Sequence, residues 1–241
     1  MARERTITRA AGKKLRNRTA TKAIVAKRPA RTTTRGVVAT GSAADFIPPN
    51  PTLPKLRAAA VTCRGCHLWT LGTQTVFGEG PKRARVMIVG EQPGDQEDRA
   101  GHPFVGPSGK LLDRALEEAK IDRDDVYVTN AVKHFKWKAR GPRRIHDKPS
   151  WTEQAACRPW LEEELALAKP RALVLLGATA AQSLLGRDFR ITRSRGRPLD
   201  SEVAELVLAT IHPSAVLRAD DREETYAGLV QDLRVVAGVL H

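Results

Sequence analysis

Residues 86–109 read Val86-Met87-Ile88-Val89-Gly90-Glu91-Gln92-Pro93-Gly94-Asp95-Gln96-Glu97-Asp98-Arg99-Ala100-Gly101-His102-Pro103-Phe104-Val105-Gly106-Pro107-Ser108-Gly109. The opening apolar run is short and continuous, as expected of a strand covered on both faces of a parallel sheet. The glycine-punctuated acidic segment then leaves that strand and enters a helix, because Leu112, Ala115, Leu116 and Ala119 recur at helical spacing behind Ser108, a candidate N-cap. In open α/β sheets ligands bind outside the carboxyl ends of strands, so this turn is a prime candidate for a site.

Working outward, further strands are expected at 125–133, 171–177 and 205–211, alongside the one at 84–90. Helices are expected at 108–120, 151–168, 178–185 and 222–236, the last with Tyr226, Leu229, Val230 and Leu233 on one stripe. Strands separated by helices imply a three-layer α/β fold in which a central four-stranded parallel sheet is flanked by helices. The 241 residues, 41% hydrophobic, suffice for one sizeable core. No run of about 18 apolar residues exists and no signal peptide is visible, so no membrane partner is expected.

Charge divides the chain. Residues 1–40 hold twelve Lys/Arg against the single acid Glu4, a net +11 out of the chain's +14. They carry no aromatic residue and no sustained apolar face, and read as a basic disordered tail. Such an arm suits DNA, whose affinity is dominated by phosphate neutralisation; a passive extension and an Arg-rich targeting peptide are the alternatives. Pro48, Pro49, Pro51 and Pro54 mark 41–56 as a proline-rich linker, which places the folded domain at 57–241.

Three cysteines are present: Cys63 and Cys66 in Cys-Arg-Gly-Cys, and Cys157 far downstream. An odd count without a secretory signal argues against a disulfide scaffold. The Cys-x-x-Cys pair alone fits a redox dithiol, half of a zinc site or part of an iron–sulfur site, and buried structural thiols remain the plain alternative. A metal would need a fourth donor. Among six histidines, His134 is the better placed, because a strand end can meet a neighbouring loop and helix start, whereas His67 sits against the pair itself.

Together, Gly90-Glu91-Gln92-Pro93-Gly94, Gly101-His102-Pro103-Phe104-Val105-Gly106, Thr129-Asn130-Ala131-Val132-Lys133 and His212-Pro213-Ser214 resemble the motifs of the iron–sulfur uracil-DNA glycosylases, most closely the UdgX branch. The resemblance spans 57–240 and implies the uracil-DNA glycosylase fold. It also implies a 4Fe-4S cluster of structural role on Cys63, Cys66, His134 and Cys157, histidine being the UdgX-type choice at 134. Residues 135–150 resemble the Lys-Arg-Arg-Ile-His loop of that branch, here Pro142-Arg143-Arg144-Ile145-His146, in which proline removes one cation and fixes one φ angle.

What the resemblance implies for single residues is concrete. His146 attacks the deoxyribose once uracil leaves and gives a covalent protein–DNA adduct. Glu91 orients or deprotonates His146 and offsets the cationic sugar, and His212 hydrogen-bonds the departing uracil. Phe104 stacks on the flipped base and Asn130 reads its edge, while Gln92 and Asp95 shape the uracil pocket. Arg143, Arg144 and Ser214 contact DNA. Taken alone, Phe104 reads sooner as a core aromatic, Asn130 as a turn former and His146 as a solvated histidine in a basic loop. The expected partner is uracil-containing DNA, preferably single-stranded, bound by a monomer that is cytoplasmic, bacterial and nucleoid-associated. Two rivals stand beside this reading: a conventional turnover glycosylase that hydrolyses the N-glycosidic bond, and a non-enzymatic nucleotide- or DNA-binding α/β module. The second is weakened by the lack of a phosphate-binding glycine signature.

Overall fold

The computed structural model describes residues 41–240, so the basic tail expected at 1–40 lies outside the described residues. In chain order the elements are α1 (Leu53–Ala60), β1 (Val86–Gly90), α2 (Asp95–Ala100), α3 (Pro107–Glu118), β2 (Val126–Asn130), β3 (Trp137–Arg140), β4 (Arg143–His146), α4 (Trp151–Ala168), β5 (Ala172–Leu176), α5 (Gly177–Leu185), α6 (Ile191–Ser194), β6 (Pro198–Leu199), β7 (Leu206–Thr210), α7 (Pro213–Arg218) and α8 (Arg222–Leu240). Among them no helix is long and apolar enough to cross a membrane.

The main sheet has the order β2-β1-β5-β7-β6. Its first four strands are parallel, as the apolar runs predict, and each is buried along its whole length. The expectation of four strands needs one correction: the two-residue β6 pairs antiparallel with β7 and closes that edge. Successive residues point to opposite faces, so Val86, Ile88, Val126, Val174 and Leu208 pack under α3 and α8. Met87, Val89, Tyr127, Leu173 and Val207 pack under α4 and α5. This alternation is what makes three layers from one sheet.

Two boundaries differ from expectation. Gly106, not Ser108, is the N-cap of α3, with Pro107 in the first turn, where its missing N–H is no loss. Residues 41–56 are not a free linker: Ala43 is buried beside Leu56, Cys63 and Trp160, and α1 starts at Leu53 behind a Thr52 cap. The prolines stiffen a segment that packs on the domain.

Candidate active site

Each of the four parallel strands delivers a polar group at or just past its carboxyl end: Glu91 after β1, Asn130 at the end of β2, Thr179 in the first turn of α5 after β5, and His212 after β7. A cavity of about 570 Å³ opens on that rim, lined by Glu91, Phe104, Asn130, His146, His212 and Arg218 among others. The placement follows the rule for ligand sites of parallel sheets.

Glu91 holds the centre. Its Oε1 lies 3.2 Å from His146 Nε2, and its Oε2 accepts the hydroxyl of Thr179. Burial disfavours its charge, but His146, Thr179 and Lys148 outweigh that and keep the carboxyl below its ordinary value. Glu91 is therefore a carboxylate at neutral pH. A carboxylate only accepts, so the facing Nε2 of a neutral His146 carries its proton.

His212 is set by its own helix end. It caps α7, its Nδ1 accepting the Ser214 N–H at 3.1 Å. An accepting Nδ1 leaves the proton on Nε2, so the ring is a donor at its far nitrogen. Burial pushes its pKa down to about 4, Glu91 opposing and His146 and Arg218 assisting. The unfolded chain takes up this proton near 6.5 and the folded chain only near 4, so in that window the unfolded state binds more protons and stability falls as pH falls. The share assignable to His212 is on the order of 3 kcal/mol, from the shift between 6.5 and about 4. In H212N, urea unfolding at pH 7 and pH 4.5 should show a correspondingly smaller difference than in wild type; an equal difference would clear His212 of the effect.

Asn130 is buried and its side-chain amide makes no hydrogen bond to the described residues, which leaves both amide functions for a ligand. A side chain at Gly90 would place Cβ 2.3 Å from Asn130 Oδ1 and 2.9 Å from Phe104 Cζ, so glycine there makes the pocket. Phe104 sits at φ +58°, rare for an aromatic residue, and stacks with His212 at 6.1 Å between centroids and 25° between planes. Its backbone is braced by the close approach of Gly109, where a Cβ would fall 1.5 Å from the Phe104 carbonyl oxygen.

The segment expected as a loop at 135–150 is a two-stranded ribbon in which Trp137 pairs with His146 and Arg140 with Arg143, turning at Gly141-Pro142. Pro142 thus occupies a tight turn. Arg143 is exposed beside it. Arg144 is not: its guanidinium donates to Asp95 and to Asp98 at 2.7 Å and lies 5.4 Å over the Phe135 ring and 5.6 Å over that of Trp137. The expectation of a DNA contact is corrected for Arg144, which pins the ribbon to α2. Asp95 is corrected for the same reason, since it pairs with Arg144 and Arg99 and does not line the cavity. Asp98 is fully buried, so R144A should cost about 3 kcal/mol by leaving its charge poorly paired. Guanidinium-induced unfolding reads this; a loss under about 0.5 kcal/mol, typical of exposed pairs, would mean that the pair is dispensable.

Gln92 lines the cavity with its amide already committed: it donates to the carbonyls of Lys136 and Asp147 and accepts the Lys136 N–H at 3.0 Å. It shapes the pocket by fastening the ribbon and offers no free amide to a base. Ser214 also lines the cavity, with its hydroxyl 2.9 Å from His212 Nδ1. The residues sequence reasoning missed are Thr179, Arg218 and Glu97, which accepts the Gly106 N–H at 2.9 Å. The Leu176-Gly177 turn after β5 carried the signal for Thr179, since it is a strand-to-helix junction of the same kind as Gly90-Glu91.

The three cysteines are free thiols in one region: Cys63 and Cys157 are buried in one cluster with Trp160, and Cys66 packs against it. Trp160 Nε1 donates to Cys63 Sγ and the Lys133 N–H to Cys157 Sγ, both at 3.3 Å. Burial pushes the Cys157 thiol up to about 12, Cys66 and Cys63 adding to it and Lys133 opposing. His134, likewise buried, directs Nε2 to Thr75 Oγ1 at 3.1 Å, and burial pushes its pKa down to about 4. Soft unoxidised sulfurs backed by N–H donors, with a neutral imidazole nearby, fit a thiolate-bound iron or zinc centre in donor chemistry. Among the described residues no group of three His, Cys, Asp or Glu stands in metal-holding geometry.

Fold and rim together define an α/β protein with a cavity at the carboxyl ends of its parallel strands, into which Glu91, Asn130, His146 and His212 face. The chain belongs to the uracil-DNA glycosylase superfamily, whose model matches residues 77–234. It is 40% identical over 162 residues to a Type-4 uracil-DNA glycosylase of Thermotoga maritima, covering 67% of this chain and 81% of that one. Identity to the Type-4 uracil-DNA glycosylase of Sulfurisphaera tokodaii is 36% over 174 residues, covering 69% and 76%. A Type-5 uracil-DNA glycosylase of Pyrobaculum aerophilum is 31% identical over 150 residues, covering 56% and 63%.

Proposed function

We propose that the chain is a UdgX-type uracil-DNA glycosylase, which excises uracil and traps itself on the resulting abasic site through His146. The observation that carries the reading is the Glu91–His146 pair at 3.2 Å on the rim of a cavity that also presents the Nε2–H of His212. The base is flipped in, at a cost of a few kcal/mol, or enters from a single strand. Phe104 offers a stacking face and Asn130 an amide for the base edge. The C1′–N1 bond then breaks with its electron pair going to uracil, whose developing negative charge meets the His212 donor. The Glu91 carboxylate faces the cationic sugar carbon and takes the His146 Nε2 proton, and the freed nitrogen pair forms the bond to C1′. Charge balances: one carboxylate is neutralised and one uracil anion is released.

Cys63, Cys66, Cys157 and His134 would hold the cluster, which when bound braces the segment between them without entering the chemistry. Iron and sulfide assays with a visible charge-transfer spectrum test this, C157S being expected to lose the colour; stoichiometric zinc in a colourless protein would overturn the assignment. Arg143 and the basic tail supply phosphate contacts to preferably single-stranded DNA in a cytoplasmic, nucleoid-associated setting. Incubation with uracil-containing single-stranded DNA should give a band that survives heat and denaturant. Free abasic product with no such band supports the second reading, a conventional turnover glycosylase, which the Type-4 names of the relatives favour.

A further inference from the structure

Behind the cavity lies an ion pair for which the chemistry above has no use. Lys133 and Glu164 have side chains 1% and 0% exposed and bond each other directly. Lys133 Nζ also donates to Thr129 Oγ1 and to the Asn130 carbonyl, each at 2.7 Å, so its three protons are all placed. Glu164 Oε1 accepts from Gly78 N at 3.1 Å, Tyr127 Oη at 2.9 Å and Thr129 Oγ1 at 3.0 Å. Burial, with Glu164 beside it, drives the Tyr127 hydroxyl far above its ordinary value, so it serves as a neutral donor. A buried pair contributes little net stability over apolar residues of the same size, but a fully satisfied one fixes geometry.

What it fixes is specific. The ammonium grips the carbonyl of Asn130, the residue whose amide faces the cavity, while the carboxylate comes from α4, 31 residues beyond Lys133 in sequence. Lys133 also joins the thiol region through its own N–H to Cys157, and Val76 N bonds its carbonyl at 2.8 Å. We propose that Lys133 and Glu164 are positioning residues of the base pocket: through the Asn130 carbonyl they hold the amide in one orientation toward uracil. This rests on the reading of Asn130 as the base-recognising group.

The test uses free uracil as an inhibitor of single-turnover excision, which probes the base pocket apart from DNA binding. K133M alone strands a buried carboxylate, so the isosteric pair K133M/E164M and the conservative E164Q carry the experiment. K133M/E164M should remain folded and weaken uracil inhibition by about tenfold or more, with E164Q in between, and the double change should add nothing in an N130A background, as coupled positions behave. Unchanged inhibition, an equal loss on top of N130A, or failure of K133M/E164M to fold would each overturn the proposal, the last by assigning the pair to stability alone. If N130A itself leaves uracil inhibition unaltered, the reading of the base pocket fails instead, and this inference falls with it.

Discussion

In H146S the denaturant-resistant complex with uracil-containing DNA is expected to disappear, a loss of at least about a hundredfold in trapped product, because the hydroxyl lacks the nitrogen pair that bonds to C1′. Uracil release should persist. His146 lies at the mouth, half exposed at 49%, and a smaller residue there admits water to the same carbon, so free abasic product should take the place of the adduct. Denaturing electrophoresis reads both products in one lane, and mass spectrometry of the wild-type digest should place the abasic remnant on the peptide containing His146. An adduct undiminished in H146S removes this histidine from the reaction.

E91Q should be as damaging to excision as H146S is to trapping. The glutamine is isosteric and keeps a partner for Thr179, but it neither accepts the His146 proton nor opposes the positive sugar, and loss of a positioned base of this kind lowers rates by about 10² to 10⁴. Single-turnover uracil release between pH 6 and 8 is the measurement. Glu91 is ionised well below that range in the wild type, so the wild-type rate should carry no titration from it there. Release within tenfold of wild type in E91Q would show that the carboxylate is an anchor for Thr179 and His146 and no more.

The parallel sheet was legible because burial on both faces leaves uninterrupted apolar runs such as Leu173-Val174-Leu175-Leu176, and the rim followed from where those runs stop. Periodicity failed where the structure has no apolar face to display. In α2, Asp95 to Ala100 bury Glu97 and Asp98, which are held by Gly106, Thr73 and Arg144 rather than by a hydrophobic stripe. The ribbon of β3 and β4 is mostly solvent-facing, and its order comes from Arg144 and Gln92 reaching across more than 40 residues of chain. Pairings of that range leave no local trace, which is why the sequence suggests a DNA contact for Arg144 and a place in the uracil pocket for Asp95 instead of their pairing with each other. Gln92 lines the cavity, but the destination of its amide depends on backbone atoms of Lys136 and Asp147 that no motif encodes.

The short strand β6 bears on what happens when copies of the molecule crowd together. An open sheet border offers a row of free amides to the next molecule, and such borders are where β-rich aggregates begin. Here one border ends in two residues that include Pro198, which lacks an amide proton, and the other, β2, is met by the Glu79 bridge to Val128. Neither flank presents a long flat ladder to a neighbour, so edge-to-edge pairing of two copies has little backbone to build on.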